Sequence, residues 1–314
     1  MTPDTTKTRI LDKLRREVGP VLLAALENDD VIEILLNPDG WLWIERLGLP
    51  IQRVGRIEAA AAESVIATVA SYVGRPVTAA SPILECEFPL DSSRFEALLP
   101  PVVSGPTFSL RKKAIKPLSL DDYAHAGCLS SSHHQVLLAA IKERKNILVV
   151  GGTGSGKTTL TNTLIEAITV QAPDHRLVII EDTPEIQCAA PNAVALRTSE
   201  TADMTQLLRA TLRLRPDRII VGEVRGGEAL ALLKAWNTGH PGGIATIHAN
   251  HAKAGLIRLE QLIGEITSRP MQQLIAEAVD LVVVIGKTAH GRKITEVGEV
   301  IGFGKTGYEL NILE

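Results

Sequence analysis

The chain has 314 residues, of which 45% are hydrophobic and 3% aromatic, and its formal net charge is −3 at pH 7. This length exceeds the size at which one hydrophobic core usually keeps growing, so we expect two domains. The weakly acidic balance disfavours a strongly basic nucleic-acid-binding domain, and the lack of any Cys-x-x-Cys pair disfavours a zinc knuckle or a disulfide framework.

Residues 1–112 are expected to form a small α+β domain. The expected elements are a helix over 7–26, strands over 31–36 and 41–45, a helix over 58–73, and alternating strands and turns over 83–112. The first helix is amphipathic, since Leu14, Val18 and Leu22 share one side while its lysines and arginines fall largely elsewhere. This pattern is typical of a core helix, and attachment of the helix to anionic lipid stays open.

The segment 113–132 lacks a long apolar period and is expected to be an interdomain linker. Residues 133–314 then alternate helices with buried strands, which predicts a parallel α/β domain. The expected elements are a helix over 133–144, strands over 147–150, 176–181, 218–222, 244–248 and 280–285, and a terminal antiparallel hairpin over 293–303 and 307–313.

The sequence favours a cytoplasmic location. No apolar run approaches the ~20 residues that a spanning helix needs, and the amino terminus shows no signal-peptide pattern. Scattered cysteines also suit a reducing compartment. Attachment to a membrane-bound partner remains open.

One strand–loop–helix segment carries the strongest chemical signal. The buried strand 147–150 leads into Gly151-x-x-x-x-Gly156-Lys157-Thr158, which opens a helix. Such glycines let successive N–H groups point at phosphate oxygens, and the helix N-terminus adds positive potential. We therefore expect ATP with Mg²⁺, the Lys157 ammonium on the β- and γ-phosphates and the Thr158 hydroxyl on the metal. The predicted nucleotide-binding residues are Gly151, Gly152, Thr153, Gly154, Ser155, Gly156, Lys157, Thr158 and Thr159.

Hydrolysis also needs carboxylates near the attacking water and the metal. Glu223 follows one buried strand, and Glu181 and Asp182 end another, so all three are expected at the edge of the sheet where parallel strands end. Position 222, which often carries an acid in such sites, is Gly222. The sequence leaves open which of the three acids activates water.

Two histidines lie at the two ends of another buried strand. His240 belongs to the glycine-rich stretch that precedes the strand, and His248 lies at the strand's end. The imidazole of His248 can donate a hydrogen bond to the γ-phosphate. An ordinary structural hydrogen bond remains the alternative for each of them.

Four boxes stand in order along the second domain. They are Gly-Gly-Thr-Gly-Ser-Gly-Lys-Thr (151–158), Ile-Glu-Asp-Thr-Pro-Glu (180–185), Leu-Arg-Pro-Asp-Arg-Ile-Ile-Val-Gly-Glu-Val-Arg (214–225) and Gly-His-Pro-Gly-Gly-Ile-Ala-Thr-Ile-His-Ala (239–249). Over about 130–290 they resemble the Walker A, Asp, Walker B and His boxes of the traffic ATPases of type II and type IV secretion. The lack of an acid at position 222 is usual in those ATPases, so Gly222 is consistent with the resemblance. The stretch 232–243 is most similar to the conjugative-transfer branch of type IV secretion.

The resemblance implies a RecA-like domain preceded by a PAS-like domain, and a homo-hexameric ATPase. It also implies inner-membrane components of a secretion apparatus as partners, with peripheral attachment to that membrane left open. Arginines of the first domain reach the phosphates in this family, and the matching candidates are Arg94 and Arg111, although an ordinary surface ion pair stays open for each. The expected catalytic residues are Lys157, Glu181, Asp182, Glu223, His248, Arg94 and Arg111, and the expected metal-site residues are Thr158 and Glu223.

Other functions remain open at this point. They are a pilus-retraction or type II secretion motor, a nucleotide-gated assembly platform, and a nucleic-acid motor. The acidic balance and the scarcity of aromatic residues for base stacking disfavour the last of these, and no sequence-specific contact with nucleic acid is expected.

Overall fold

The computed structural model describes residues 5–46, 49–112, 118–288 and 291–313. It divides the chain into two compact units, Met1–Ile115 and Lys116–Glu314. The described elements of the first unit are helices α1 (Thr5–Glu17), α2 (Gly19–Glu27) and α3 (Ala59–Val73), and strands β1 (Val31–Leu36), β2 (Trp41–Arg46), β3 (Gln52–Arg56), β4 (Ile83–Glu87), β5 (Arg94–Leu98) and β6 (Thr107–Arg111).

The first unit is an antiparallel sheet with helices packed on its apolar side. The strand order is β3-β2-β1-β6-β5-β4, and every neighbouring pair is antiparallel. Alternate strand residues such as Ile34 and Leu36 are buried in one core with Leu14, Leu22 and Ile66 of the helices. The apolar side of the first helix therefore packs in the unit's own core, as the core-helix interpretation predicted.

Two local features of this unit differ from the sequence-based expectation. The single helix expected over 7–26 is two helices, because Gly19 adopts a φ of +70° and Pro20 lacks the N–H that a continuing helix would use. Strand β3 was not predicted. It is an edge strand, and all of its residues remain at least partly exposed, so it lacks the alternation that marks a half-buried strand.

The described elements of the second unit are helices α4 (Leu120–His125), α5 (Ser131–Lys142), α6 (Lys157–Gln171), α7 (Met204–Thr211), α8 (Glu228–Asn237), α9 (Ala252–Gly264) and α10 (Gln272–Ala278), and strands β7 (Ile147–Val150), β8 (Leu177–Glu181), β9 (Ala193–Arg197), β10 (Arg218–Val221), β11 (Ile244–Ile247), β12 (Leu281–Thr288), β13 (Gly291–Gly304) and β14 (Gly307–Leu313). Within these residues no helix combines the length and the apolar character needed to cross a membrane.

The second unit is a mixed α/β fold built on one sheet. The strand order is β14-β13-β12-β7-β11-β10-β8-β9, parallel from β12 to β9 and antiparallel in the terminal β12-β13-β14 extension. Leu148 and Val150 belong to the core on one face of the sheet, and Ile147 and Val149 to the core on the other. Burial on both faces explains why the central strands are continuous apolar runs. The predicted terminal hairpin is confirmed, whereas the exposed edge strand β9 was not predicted.

Part of the segment expected to be a linker is folded. Residues 113–117 lie outside the described residues, and α4 follows them. Its start is fixed by a capping box, in which the Ser119 hydroxyl accepts from the Asp122 N–H at 3.0 Å and the Asp122 carboxylate accepts from the Ser119 N–H at 2.8 Å. Leu120, Tyr123 and Leu129 are buried in the core of the second unit. A helix as short as α4 has too few residues to show a long apolar period, so the sequence pattern does not predict it.

Candidate nucleotide-binding site

The phosphate loop, residues 151–158, joins the end of β7 to the start of α6. Gly156 has a φ of +101°, a left-handed conformation that is strained for any residue with a Cβ. A Cβ on Gly151 would collide with the carbonyl oxygen of Ile285 and with the Ser155 hydroxyl. The loop thus needs glycine at both positions, and it presents the amino end of α6 at the carboxyl edge of the parallel strands.

Lys157 is folded into this loop. Its side chain is largely buried, with the residue 8% exposed, and Nζ donates to the carbonyl oxygens of Gly151 and Gly152, each at 3.0 Å. The two ring nitrogens of His248 lie 3.4 and 3.5 Å from the same Nζ. The ammonium is therefore placed at the concave side of the loop, where phosphate oxygens would meet it.

The residues of the loop fit a magnesium–nucleotide ligand. The Ser155 Oγ is buried and has no hydrogen-bond partner among the described residues, so a polar ligand group would satisfy it. Thr158 Oγ1 donates to Glu185 Oε2 at 3.1 Å. A hydroxyl and a carboxylate side by side supply the oxygen ligands that Mg²⁺ prefers, which adds Glu185 to the predicted position of Thr158.

Glu181 occupies the space beside Gly222. The residue is 7% exposed, and its carboxylate oxygen Oε1 accepts from the backbone N–H groups of Glu185 and Ile186 at 3.0 and 2.8 Å. A Cβ added to Gly222 would stand 2.9 Å from Glu181 Cγ and 3.2 Å from Oε1. A side chain at position 222 therefore requires Glu181 to move, because the acid of the neighbouring strand fills that space. Glu181 also fixes the turn that carries Glu185 toward Thr158.

Replacing Gly222 by alanine should displace the Glu181 side chain and loosen the turn that ends at Ile186. We expect ATP turnover to fall about 10- to 100-fold, as is typical when a supporting contact shifts a catalytic group by about 1 Å. A phosphate-release assay measures this. Gly264→Ala is the matched control, since a Cβ there meets nothing within 4 Å. Undiminished turnover in Gly222→Ala would show that the position of Glu181 does not matter for the reaction.

A chain of polar contacts links the remaining predicted residues. Glu223 Oε2 accepts from Arg225 Nε at 2.9 Å and Nη2 at 2.6 Å, while Oε1 lies 2.5 Å from His248 Nε2. Arg225 Nη1 also lies 3.7 Å from Asp182 Oδ2. Asp182 in turn accepts from the Thr198 hydroxyl at 3.0 Å. The fold thus brings Glu223, His248 and Lys157 into one cluster, with Asp182 joined to it through Arg225.

The protonation of His248 follows from its surroundings. Burial lowers the pKa of the imidazole, and the Lys157 ammonium lowers it further, which together outweigh the opposite pull of Glu223. The ring is therefore neutral near pH 7. The neutral ring can donate from Nε2 to Glu223, whereas Lys157 Nζ lies almost equidistant from both ring nitrogens and therefore faces the ring rather than the lone pair of Nδ1.

Other predicted residues lie in simpler surroundings. Gly152 and Thr153 are exposed on the loop, and the Thr159 carbonyl accepts from the Thr163 hydroxyl at 3.0 Å. His240 faces the carbonyl oxygen of Pro216, with Nδ1 at 3.1 Å. Pro216 precedes β10 whereas Glu223 follows it, so His240 lies toward the opposite end of that strand from the catalytic cluster.

Arg94 and Arg111 belong to the first unit and lie on adjacent strands. They are directly opposite each other in the antiparallel register of β5 and β6, so they share one face of the sheet. Arg94 Nη2 also forms an ion pair with Glu85 Oε1 at 3.1 Å. Each arginine also has an acid as its register partner on the other side, Glu87 opposite Arg94 and Glu33 opposite Arg111, so acids of the same sheet offset part of their charge.

Three basic residues near the loop were not among the sequence-based candidates. Arg225 holds Glu223, and both Lys287 and Arg292 approach the loop glycines from the β12–β13 hairpin. One signal for Lys287 was present in the sequence: it follows a buried strand, and β12 turns out to be the parallel neighbour of β7. Residues that follow neighbouring parallel strands meet at the same edge of a sheet.

The parallel sheet and the glycine loop at its carboxyl edge define a P-loop nucleotide-binding fold. The chain belongs to the type II/IV secretion system protein family, whose model matches residues 33–290. It is 51% identical over 302 residues to a protein described as probable conjugal transfer protein TrbB of Sinorhizobium fredii, covering 96% of this chain and 93% of that one. It is 50% identical over 309 residues to conjugal transfer protein TrbB of Rhizobium radiobacter, covering 98% and 96%.

Solved structures agree on the fold. The pilus retraction motor PilT, determined with bound ADP, matches with a TM-score of 0.66 and 21% identity, covering 94% of this chain and 82% of that one. At this identity the likeness concerns the fold alone. The family that the four boxes indicated is thus confirmed, as is the similarity to the conjugative branch.

Proposed function

We propose that this protein is a cytoplasmic ATP hydrolase that works as a homo-hexamer and powers a conjugative type IV secretion system. The observation that carries the proposal is the cluster in which Lys157, His248 and Glu223 meet at the phosphate loop. Its lysine is placed for phosphates and its carboxylate for an attacking water. The near full-length similarity to conjugal transfer proteins TrbB supports the secretion role and, through it, partners at the inner membrane.

Each residue of the cluster has a role in the proposed reaction. Lys157 binds the β- and γ-phosphates, and backbone N–H groups of the loop bind the remaining oxygens. Thr158 and Glu185 hold Mg²⁺, which supplies charge neutralisation at the phosphates. Glu223 orients water as the general base, and neutral His248 donates its one N–H, which Glu223 accepts before nucleotide binds, to the γ-phosphate when ATP is bound. Glu181 positions Glu185 by accepting from its backbone N–H, and Asp182 positions Arg225 through their ion pair.

Arg94 and Arg111 supply the cations that stabilise the transition state in this proposal. They lie opposite each other on adjacent strands of what we infer to be a PAS-like domain, and we infer the second unit to be the RecA-like one. Arginines delivered to a transferring phosphoryl group can raise the rate by about 10³–10⁵. Within a ring, such a delivery makes hydrolysis depend on assembly.

Purified protein should release phosphate from ATP in the presence of Mg²⁺. It should form a particle six times the mass of the 33.7-kDa chain. Mass photometry with and without nucleotide measures the assembly, and a coupled phosphate assay measures turnover. A protein that stays monomeric at every concentration while hydrolysing ATP would contradict the hexamer. A hexamer without turnover would contradict the hydrolase and favour the assembly platform.

The nucleic-acid motor remains a second candidate from the sequence. It predicts turnover stimulated by DNA with a steep dependence on salt. Adding single- and double-stranded DNA to the same assay separates it from the secretion motor, for which we expect no stimulation.

A further inference from the structure

The β12–β13 hairpin brings two basic side chains against the phosphate loop. Strand β12 is the parallel neighbour of β7, with Val284 opposite Val150, so its continuation runs past the loop. Lys287 and Arg292 are register partners across the hairpin and therefore share one face of it. None of the four boxes includes this hairpin, yet it lies beside the first of them.

The contacts of these side chains fall on the loop glycines. Arg292 Nε donates to the carbonyl oxygen of Gly154 at 3.3 Å. Arg292 Cδ would lie 3.0 Å from a Cβ on Gly156, and Lys287 Nζ would lie 3.5 Å from a Cβ on Gly154. The hairpin thus contacts the same segment whose backbone N–H groups would cradle a phosphate.

The contacted carbonyl has a defined position in the loop. The carbonyl of Gly154 and the N–H of Ser155 belong to one peptide unit and point in opposite directions. A guanidinium that holds the carbonyl oxygen restrains the orientation of this peptide and polarises it so that its N–H becomes a stronger donor. In this structure that N–H donates to the Gly152 carbonyl at 3.3 Å, a long contact that a phosphate oxygen would replace. Lys287 adds a positive charge near the loop, and opposite charges attract over about 10 Å at moderate salt.

We propose that Arg292 is a positioning residue that sets the Gly154–Ser155 peptide for binding the nucleotide polyphosphate, and that Lys287 adds electrostatic attraction for the same anion. The proposal rests on nucleotide binding at the loop, which is part of the proposed function. It makes the affinity for ATP and ADP depend on the position of the β12–β13 hairpin, whereas the chemical step depends on the cluster around Glu223.

The test compares Arg292→Gln, Arg292→Lys and Lys287→Gln with the wild-type chain. Titration of each protein with Mg²⁺-ATP and Mg²⁺-ADP gives the two Kd values, and steady-state assays give KM and kcat. For Arg292→Gln we expect both Kd values and KM to rise about tenfold, the effect of one lost charge-assisted hydrogen bond, with kcat changed less than about twofold. Arg292→Lys should recover part of the affinity, because an ammonium can still donate to the Gly154 carbonyl.

The Lys287 effect should have a different signature. We expect Lys287→Gln to raise Kd about two- to threefold at low salt and not at high salt, because its contribution is a screened charge. Lys293→Gln is the matched control: it removes the same charge one residue from Arg292, on the opposite face of β13. Its affinities should equal those of the wild type.

Three outcomes would overturn the proposal. They are wild-type affinity in Arg292→Gln, a fall in kcat with KM unchanged, and an equal loss in Lys293→Gln. Melting temperatures without nucleotide separate a folding defect from a binding defect. If Arg292→Gln does not fold, the affinities of Arg292→Lys test the same contact. Because the Kd for Mg²⁺-ADP is measured without turnover, a wild-type chain that binds nucleotide but does not hydrolyse ATP defeats the proposed hydrolase and leaves this inference standing.

Discussion

Replacing Lys157 by alanine is expected to abolish ATP turnover by removing nucleotide binding. Its ammonium is placed to make two charge-assisted hydrogen bonds to the phosphates, each worth about 1.5–3 kcal/mol. Their loss corresponds to an affinity lower by about 10²–10⁴-fold. Titration with Mg²⁺-ATP measures the loss directly.

One control variant and one control measurement make this test specific. Lys234→Ala removes an exposed lysine from the last turn of α8 in the same unit and should bind ATP normally. The melting temperature of Lys157→Ala without nucleotide checks that loss of the donor to the Gly151 and Gly152 carbonyls has not unfolded the chain. If folded Lys157→Ala bound Mg²⁺-ATP as tightly as the wild type, the phosphate site would lie elsewhere.

Replacing Glu223 by glutamine should stop the chemical step and leave ATP binding intact. Glutamine has nearly the same shape but cannot take a proton from water, and a positioned general base contributes about 10²–10⁴ in rate. Its amide oxygen can still accept from Arg225, and the neutral His248 ring can accept from its amide nitrogen, so the local contacts survive. We expect kcat to fall by about 10²–10⁴-fold with a Kd for ATP within about twofold of the wild type.

A second acid nearby provides the control for this variant. Glu228 accepts from the N–H groups of Arg225 and Gly226 at 2.7 and 2.9 Å, and a glutamine can make the same two contacts. Glu228→Gln should therefore keep most of its turnover. If Glu223→Gln kept wild-type turnover instead, Glu181 or Asp182 would have to activate water.

The Glu223→Gln variant also separates the motor from the assembly platform. A motor needs repeated hydrolysis, so cells that carry only this variant should not transfer substrate. A platform needs bound nucleotide alone, and transfer in those cells would establish it. The same variant thus tests the chemistry in solution and the use of that chemistry in the apparatus.

Much of the site could be predicted from local sequence. The phosphate loop is a contiguous segment whose glycines are demanded by its own backbone, as the φ of Gly156 and the space at Gly151 show. The acids Glu181 and Glu223 could be placed because carboxyl ends of parallel strands meet at one edge. Edge strand β3 and the short helix α4 escaped prediction, since neither has a long apolar period.

Other features depend on which strands become neighbours. That Glu181 fills the space at Gly222 requires β8 beside β10, and that Arg292 reaches Gly154 requires β12 beside β7. Spacing along the chain does not encode these adjacencies. Nor does it encode that the Glu223 carboxylate accepts from Arg225 and lies against His248.

By itself the sequence determined that this chain carries a glycine loop of the phosphate-binding type and that it resembles the secretion ATPases, because those properties reside in contiguous segments with their own backbone requirements. Only the tertiary structure decided which side chains surround that loop, namely Glu185 at Thr158, His248 near Lys157 and Glu223, and Arg292 at Gly154. The physical reason is that hydrogen bonds and charges act over a few ångströms in space, whereas these partners are separated by up to 138 residues along the chain.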